Sequence, residues 1–364
     1  RAAPWRQEMS TGCVVSEDAI VPAVVCACVA ILLVPPALRV LASLRGRGER
    51  TTTTQPRKAE FASQRDDDGS RLHPITSFGV WGRADGCLNS PRFLLPVDGG
   101  VLVADSGNDR LQVFTAGGAH VRTFQGSRPG HPTGLATDGT HVWVADSSNC
   151  SVAKIVLSDG AHTTRTGSYG AGVGEFSGPE GLALAQGVLF VADEGNCRVV
   201  MLDAASLAWR GAFGTRGTGP GQLLKPVGLT IVDDGARLEL YVRDTQNHRV
   251  QVFDVTGANA PGVCGAFLRA FGERGDGPAQ FTEPSGMAID PKGRLLVSEA
   301  GARRVQMLTL QGAPLQVLRL PTAGKLYGMC VSGSHVFVAD YERHQVHVLQ
   351  LGSGTPSSPP WQPW

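Results

Sequence analysis

The sequence has little of three features that mark common functional classes: aromatic residues, net charge and paired cysteines. Aromatic residues make up 6% of the chain, and the formal net charge is +1. Residues 75–352 contain 23 Lys and Arg and 24 Asp and Glu, so this part lacks the basic balance expected of a nucleic-acid binder. The eight cysteines include no C-x-x-C pair, which argues against a zinc site or a dense disulfide framework.

Glycine, with 47 residues, is abundant, which suits an all-β chain with many tight turns. The stretch Val103–Phe114, V-A-D-S-G-N-D-R-L-Q-V-F, recurs in approximate copies. The other copies are 144–155, 191–202, 242–253, 297–308 and 338–349. Successive copies begin 41, 47, 51, 55 and 41 residues apart, a period that indicates a propeller or a solenoid.

Each copy predicts a β-hairpin, because two runs of alternating apolar residues flank a turn rich in Gly and Asn. An apolar segment introduced by Pro-x-Gly precedes most hairpins, as in Gly178–Ala185. Its Gly suits a crowded innermost strand with close backbone approach. A fourth run, ending in an aromatic residue, follows five of the hairpins. The fold class predicted is therefore all-β, a β-propeller of six four-stranded blades.

The ends of the repeat region predict how the ring closes. The sixth hairpin ends at Leu351 with no outer strand after it, whereas an unpaired strand, Pro74–Gly79, precedes the first unit. We expect this N-terminal strand to complete the sixth blade, so that no sheet edge stays open. The propeller is then predicted to cover residues 73–352.

The chain before the propeller contains an uncharged run of 20 residues, Ala19–Leu38, which is long enough to cross a bilayer. Basic residues follow it, which predicts a single-pass membrane protein with a cytosolic propeller. A targeting peptide and a non-native leader remain alternatives. The predicted segments are a leader (1–18), a hydrophobic transmembrane or signal-anchor helix (19–44), a flexible linker (45–72) and a disordered Pro-rich tail (353–364).

The pattern F-G-x-x-G-x-G-x-x-x-F-x-x-P-x-G-[LM]-A, followed by V-A-D-x-x-N-x-R-V-Q-V-F, resembles the NHL repeat. The segment 270–288 together with Val103–Phe114 carries the resemblance best, and the repeats span about 280 of the 364 residues. The resemblance implies a six-bladed propeller. It leaves function open, because NHL domains include recognition modules of ubiquitin ligases, RNA-binding domains, sensor domains and a class of lyase.

An acidic residue ends the second strand of every unit. These residues are Asp105, Asp146, Asp193, Asp244, Glu299 and Asp340. Metal ligation is one interpretation of such a series. A structural role is favoured, because a carboxylate beside a tight turn accepts backbone N–H bonds or pairs with the Arg that follows it in most units.

Function in propellers is usually set where loops meet the inner strands around the central channel. The variable position of the Pro-x-Gly motifs predicts a binding rim at the channel mouth. Its members are Arg92, Thr133, Glu180, Val227, Ser285 and Tyr327. The lyases that share this fold place zinc-binding histidines after the proline of three such motifs, whereas none of these six residues is His.

We therefore expect a non-catalytic scaffold that binds a protein or peptide on this face, with no catalytic residue, metal or cofactor. The resemblance implies a possible link to ubiquitination, and the propeller is expected to be monomeric. Nucleic acid is a disfavoured partner, since basic and acidic residues on the loops nearly cancel. An RNA-binding NHL domain and a metal-dependent lyase or hydrolase of the propeller type remain the alternatives.

Overall fold

The structure, a computed structural model, describes residues 71–124, 130–260 and 262–352. Strand β1 (Leu72–Phe78) opens the described part of the chain. The first blade contains β2 (Leu94–Val97), β3 (Gly100–Asp105), β4 (Arg110–Thr115) and β5 (His120–Thr123). The second contains β6 (Pro132–Thr137), β7 (His141–Asp146), β8 (Ser151–Val156) and β9 (His162–Thr166). The third contains β10 (Pro179–Ala185), β11 (Val188–Asp193), β12 (Arg198–Asp203) and β13 (Trp209–Phe213).

Two short parallel strands, β14 (Thr215–Arg216) and β15 (Gln222–Leu223), lie between the third and fourth blades. The fourth blade contains β16 (Pro226–Asp233), β17 (Leu238–Asp244), β18 (Arg249–Asp254) and β19 (Ala266–Phe271). The fifth contains β20 (Pro284–Ile289), β21 (Leu295–Glu299), β22 (Arg304–Leu308) and β23 (Pro314–Arg319). The sixth contains β24 (Leu326–Ser332), β25 (His335–Asp340) and β26 (Gln345–Leu351), completed by β1. Two 3-10 helices, Ser106–Asn108 and Thr245–Asn247, form hairpin turns.

The prediction of six four-stranded blades is confirmed. Each blade is one antiparallel sheet, in sequence order for the first five, while β1 is the outer strand of the sixth. The first strands of the six blades contact one another in a closed cycle, so they line the central channel. Glycine permits this crowding. A Cβ on Gly134 in the second blade would lie 1.9 Å from the carbonyl oxygen of Glu180 in the third, and one on Gly181 would lie 2.2 Å from that of Val227 in the fourth.

The predicted closure is also confirmed, with the closing strand at Leu72–Phe78. This strand pairs antiparallel with β26, and Leu72 lies opposite Leu351. The Gln316 side chain on the fifth blade holds the strand from the other side. Its Nε2 donates to the Leu72 carbonyl at 2.7 Å, and its Oε1 accepts from the Leu72 N–H at 2.8 Å. The first and last described strands therefore share one sheet.

The hydrophobic core consists of six clusters, each formed by two neighbouring blades. The cluster between the third and fourth blades, for example, packs Phe190 and Met201 against Leu240 and Phe253. Second and third strands are mostly apolar and buried because both of their faces are covered, whereas outer strands such as β19 are partly exposed. Each fully buried large side chain contributes about 1.5–3 kcal/mol of transfer free energy, so stability is distributed around the ring.

The predicted single-pass membrane localisation is wrong for the part of the chain that the structure describes. Among residues 71–124, 130–260 and 262–352, no helix is long and apolar enough to cross a membrane. The run Ala19–Leu38, on which that prediction and the N-terminal helix rested, lies outside the described residues, as do the leader and the tail. The described part of the predicted linker, residues 71–72, includes the start of β1.

Candidate functional site

The acidic residue that ends each second strand is buried and holds the start of the inner strand. Asp244, for example, is 0% exposed. Its Oδ1 accepts the Leu224 N–H at 2.6 Å, two residues before Pro226, and its Oδ2 accepts from Asn247 Nδ2 and Arg249 Nε at 2.8 Å each. The five equivalent residues accept backbone N–H groups in the same way. These carboxylates are therefore engaged in structural hydrogen bonds.

The Arg that pairs with this carboxylate also fixes the loop that enters the blade. Four such loops, which we call the hooked loops, cover residues 79–91, 167–178, 214–225 and 272–283, and a short parallel bridge or ladder closes each. Arg198 donates to the carbonyls of Ala171 and Glu175 at 2.7 and 2.8 Å. Arg249 donates to those of Gly219 and Gln222 at 2.8 and 3.0 Å. Each hooked loop is therefore held on a rigid blade.

The hooked loops present large side chains to solvent at one equivalent position. The residues at that position are Trp81, Tyr169, Arg216 and Arg274. Trp81 is 72% exposed and Tyr169 78% exposed, and Val80 and Val173 on the same two loops are 65% and 75% exposed. The loops lead into the Pro-x-Gly ends of the inner strands, so these side chains lie on the face of the channel mouth. Isolated exposed apolar residues are ordinary, whereas an aromatic and a valine together on each of two loops indicate a contact surface.

The six predicted rim residues lie at the starts of the inner strands, as the repeat register requires, but they differ in accessibility. Thr133, Glu180 and Ser285 are buried, with exposures of 0%, 5% and 6%, while the remaining three, Arg92, Val227 and Tyr327, are partly exposed. Thr133 Oγ1 donates to the Pro179 carbonyl at 3.0 Å. The rim is therefore the wall of a narrow channel and not a flat docking surface.

Three of the predicted rim residues are brought together. Arg92 Nη1 lies 3.0 Å from Glu180 Oε1, and the Arg92 guanidinium lies 5.5 Å from the centre of the Tyr327 ring and 5.6 Å from that of Tyr341. The two tyrosine rings are 5.0 Å apart. A cation between aromatic rings and a carboxylate is held in place from several sides. Tyr341 follows the structural Asp340 and was not among the predicted site residues.

Arg243 is the channel residue that sequence reasoning missed. It is 2% exposed and occupies the position before Asp244, where the other copies have Ala or Ser. Its Nε donates to Thr245 Oγ1 at 3.1 Å, and a Cβ on Gly228 would lie 3.4 Å from its Cζ. The signal was present in the sequence, because V-R-D in this copy departs from the V-A-D of four others.

The electrostatics of the mouth follow from burial of three charges. Burial raises the pKa of Glu180 to about 7, Arg92 and Arg243 counteract this, and Glu194 adds to it. Burial opposes the charge on Arg92, but attraction to Glu180 and the contacts with Tyr327 and Tyr341 outweigh it and raise its pKa. Burial lowers the pKa of Arg243. The mouth therefore changes charge near neutral pH through Glu180.

A cavity of about 670 Å³ lies at the other end of the inner strands, away from the predicted rim. Leu135, Leu182 and Leu229 of successive inner strands line it, together with Trp143 and Asp203. Sequence reasoning gave no indication of it, because these positions read as ordinary apolar strand residues. Within the described residues, no group of three or more His, Cys, Asp or Glu is placed to hold a metal ion at either end.

Comparison with known proteins supports the fold. No protein-family model matches the chain. A gluconolactonase from Xanthomonas campestris is 17% identical over 77% of this chain and 89% of its own, with a TM-score of 0.55. Virginiamycin B lyase from Staphylococcus aureus is 14% identical over 77% and 99%, with a TM-score of 0.52. Hydrazine synthase of Kuenenia stuttgartiensis is 13% identical over 74% and 97%, with a TM-score of 0.54.

These neighbours have different activities, and at such low identity they show the fold alone. The class that the structure and the comparisons define is the six-bladed β-propeller, and membership of the NHL family within that class is not established.

Proposed function

We propose that this propeller is a non-catalytic scaffold that binds a protein or peptide on the mouth face. The observation that carries the proposal is the pair of exposed aromatic side chains, Trp81 and Tyr169, at equivalent positions of two hooked loops. Tyr and Trp are enriched among residues that dominate binding energy, because they bring a large contact area at a small entropic cost. The arginine-anchored loops hold both side chains on a rigid frame, which further lowers the cost of binding.

The charges of the same loops favour a protein over RNA. Exposed Arg83 and Arg274 are accompanied by exposed Asp85, Glu273 and Asp276 on the same two loops. Such a mixed surface gives weak attraction to phosphate but suits the polar rim of a protein interface. A connection to ubiquitination rests on the NHL resemblance alone and belongs to the same proposal.

The test is affinity capture with the full chain, comparing wild type with the double variant Trp81→Ala/Tyr169→Ala. The matched control is Leu315→Ala, which removes a 48% exposed apolar side chain from an outer strand. We expect the loop variant to lose partners that wild type and control retain, and a purified partner to bind it at least about tenfold more weakly. Retention of the same partners by the loop variant would disprove the proposal.

A further inference from the structure

Two arginines in the channel mouth have guanidinium nitrogens without a hydrogen-bond partner. Among the described residues, five buried side-chain nitrogen or oxygen atoms lack one, and Arg92 Nε and Arg243 Nη1 are two of them. Arg243 is 2% exposed, so its Nη1 has little access to bulk solvent. A buried donor without a partner destabilises the folded protein, and such a donor at a channel mouth points to a ligand that accepts the hydrogen bond.

Both guanidiniums interact with the same two side chains. Glu180 and Tyr327 interact electrostatically with Arg92 and also with Arg243. Arg92 Nη1 donates a hydrogen bond to the Glu180 carboxylate. The Arg243 guanidinium lies against Gly228 of the inner strand, where a Cβ would be 3.4 Å from its Nη1. The residues come from the first, third, fourth and sixth blades, so they surround the channel.

The charges of this cluster do not balance. Arg92 and Arg243 carry two positive charges, and Glu180 supplies at most one negative charge. Glu194 is paired with Lys225 at 2.9 Å, and burial and Arg92 lower the pKa of nearby His131, which disfavours a further positive charge there. While Glu180 is ionised, one positive charge therefore remains without a counter-ion in a largely buried site, and a monoanion would compensate it.

We propose that the channel mouth binds a carboxylate group between Arg92 and Arg243, beside the rings of Tyr327 and Tyr341. The planar guanidinium matches the two oxygens of a carboxylate. A doubly charged phosphate fits less well, because it exceeds the surplus charge and is repelled by Glu180. The carboxylate belongs either to a small free acid or to the C-terminus of a bound peptide. The second source rests on the proposed function.

The test measures binding of four probes to the full chain by calorimetry at constant ionic strength: acetate, inorganic phosphate, N-acetyl-diglycine and its C-terminal amide. We expect saturable binding of acetate and N-acetyl-diglycine and none of the amide. Phosphate should bind more weakly than acetate at pH 8, where phosphate is doubly charged and Glu180 is ionised. Binding of acetate should strengthen from pH 8 to pH 6, because protonation of Glu180 removes its repulsion. If N-acetyl-diglycine binds much more tightly than acetate, the ligand is the C-terminus of a peptide. If the two bind with equal affinity, the ligand is a small free acid.

The decisive variant is Arg243→Ala, which restores the residue present at this position in four other copies and so suits the fold. It should weaken acetate binding by about tenfold or more, and Arg243→Lys should recover part of the loss. The control Arg319→Ala, on the outer strand of the fifth blade, should leave acetate affinity unchanged. If Arg243→Ala does not fold, the acetate affinity of Arg243→Lys is compared with that of wild type.

Three results would overturn the carboxylate site: no saturable acetate binding to wild type, acetate binding that is the same in the Arg243 variants, or tighter binding of phosphate. Failure of the capture experiment together with intact acetate binding would remove the peptide source and the proposed function while leaving the site.

Discussion

Arg92 Nη1 in the first blade lies 3.0 Å from Glu180 Oε1 in the third, so this ion pair reaches across the start of the second blade. The side chain of Glu180 is 7% exposed and that of Arg92 22% exposed. Because the carboxylate is the more deeply buried partner, desolvation outweighs attraction and its protonation is favoured. The pair therefore marks the channel mouth as a site whose charge depends on pH.

The first prediction concerns Glu180→Gln and the pH dependence of stability. The native pKa of Glu180 is raised from 4.5 to about 7, so between these values the native state binds a proton that the unfolded state does not. This contribution is fully present below pH 4.5 and is lost as pH rises through 7. The free energy of unfolding of wild type, relative to Glu180→Gln, should therefore fall by up to about 3 kcal/mol from pH 4.5 to pH 8.

Urea unfolding of both proteins at several pH values measures this difference, and the titrations of all other groups cancel in the comparison. A difference that is constant with pH would mean that Glu180 is ionised throughout. A difference that grows with pH would mean that the pair with Arg92, and not burial, determines the protonation of the carboxyl group.

The second prediction concerns the closing strand. Leu72 is 2% exposed and packs in the cluster between the fifth and sixth blades, whereas Ile75 on the same strand is 48% exposed. Leu72→Ala should lower the free energy of unfolding by about 2–4 kcal/mol, because it leaves a cavity at the junction of the ring. Ile75→Ala, the matched control, should change it by about 0.5 kcal/mol or less. Thermal and urea unfolding measure both variants. If Leu72→Ala and Ile75→Ala lowered the free energy of unfolding equally, the strand would not close the ring.

The fold was predictable because it depends on features that repeat. The outer strand of the last blade, predicted at Pro74–Gly79 from counting strands, lies at Leu72–Phe78, and the role of Gly134 and Gly181 followed from the crowding of inner strands. Each copy has the same pattern of strands and turns, so six individually weak predictions support one another. The register also predicted that Arg92, Glu180 and Tyr327 occupy equivalent positions at the starts of inner strands.

The site was less predictable because it depends on how side chains from different copies meet. Besides the variable residues of Pro-x-Gly, the mouth contains Arg243, which precedes a structural acid, and Tyr341, which follows one. Tyr341 contacts the Arg92 guanidinium and Arg243 interacts with Glu180, and neither sequence spacing nor composition reveals these contacts. Burial of Thr133 and Ser285 was equally invisible, since it results from the narrow channel.

The third prediction concerns Asp244→Asn and separates a structural from a ligand-binding role of the repeated acids. The carboxylate accepts four hydrogen bonds, from the Leu224 N–H and from the side chains of Asn247, Arg249 and Gln251. Asn has one acceptor oxygen and no charge, so the partly buried Arg249 loses its charged partner. The free energy of unfolding should fall by about 2–4 kcal/mol.

The hooked loop 214–225 should also loosen, because Arg249 holds it, and trypsin should cleave after Arg216 faster in the folded variant than in wild type. Asp98→Asn is the control, since Asp98 lies exposed between β2 and β3. Its unfolding free energy should stay within about 0.5 kcal/mol of wild type. If Asp244→Asn were as stable as this control and equally resistant to trypsin, the carboxylate would not be a structural group, and its conservation of position around the ring would need a ligand to explain it.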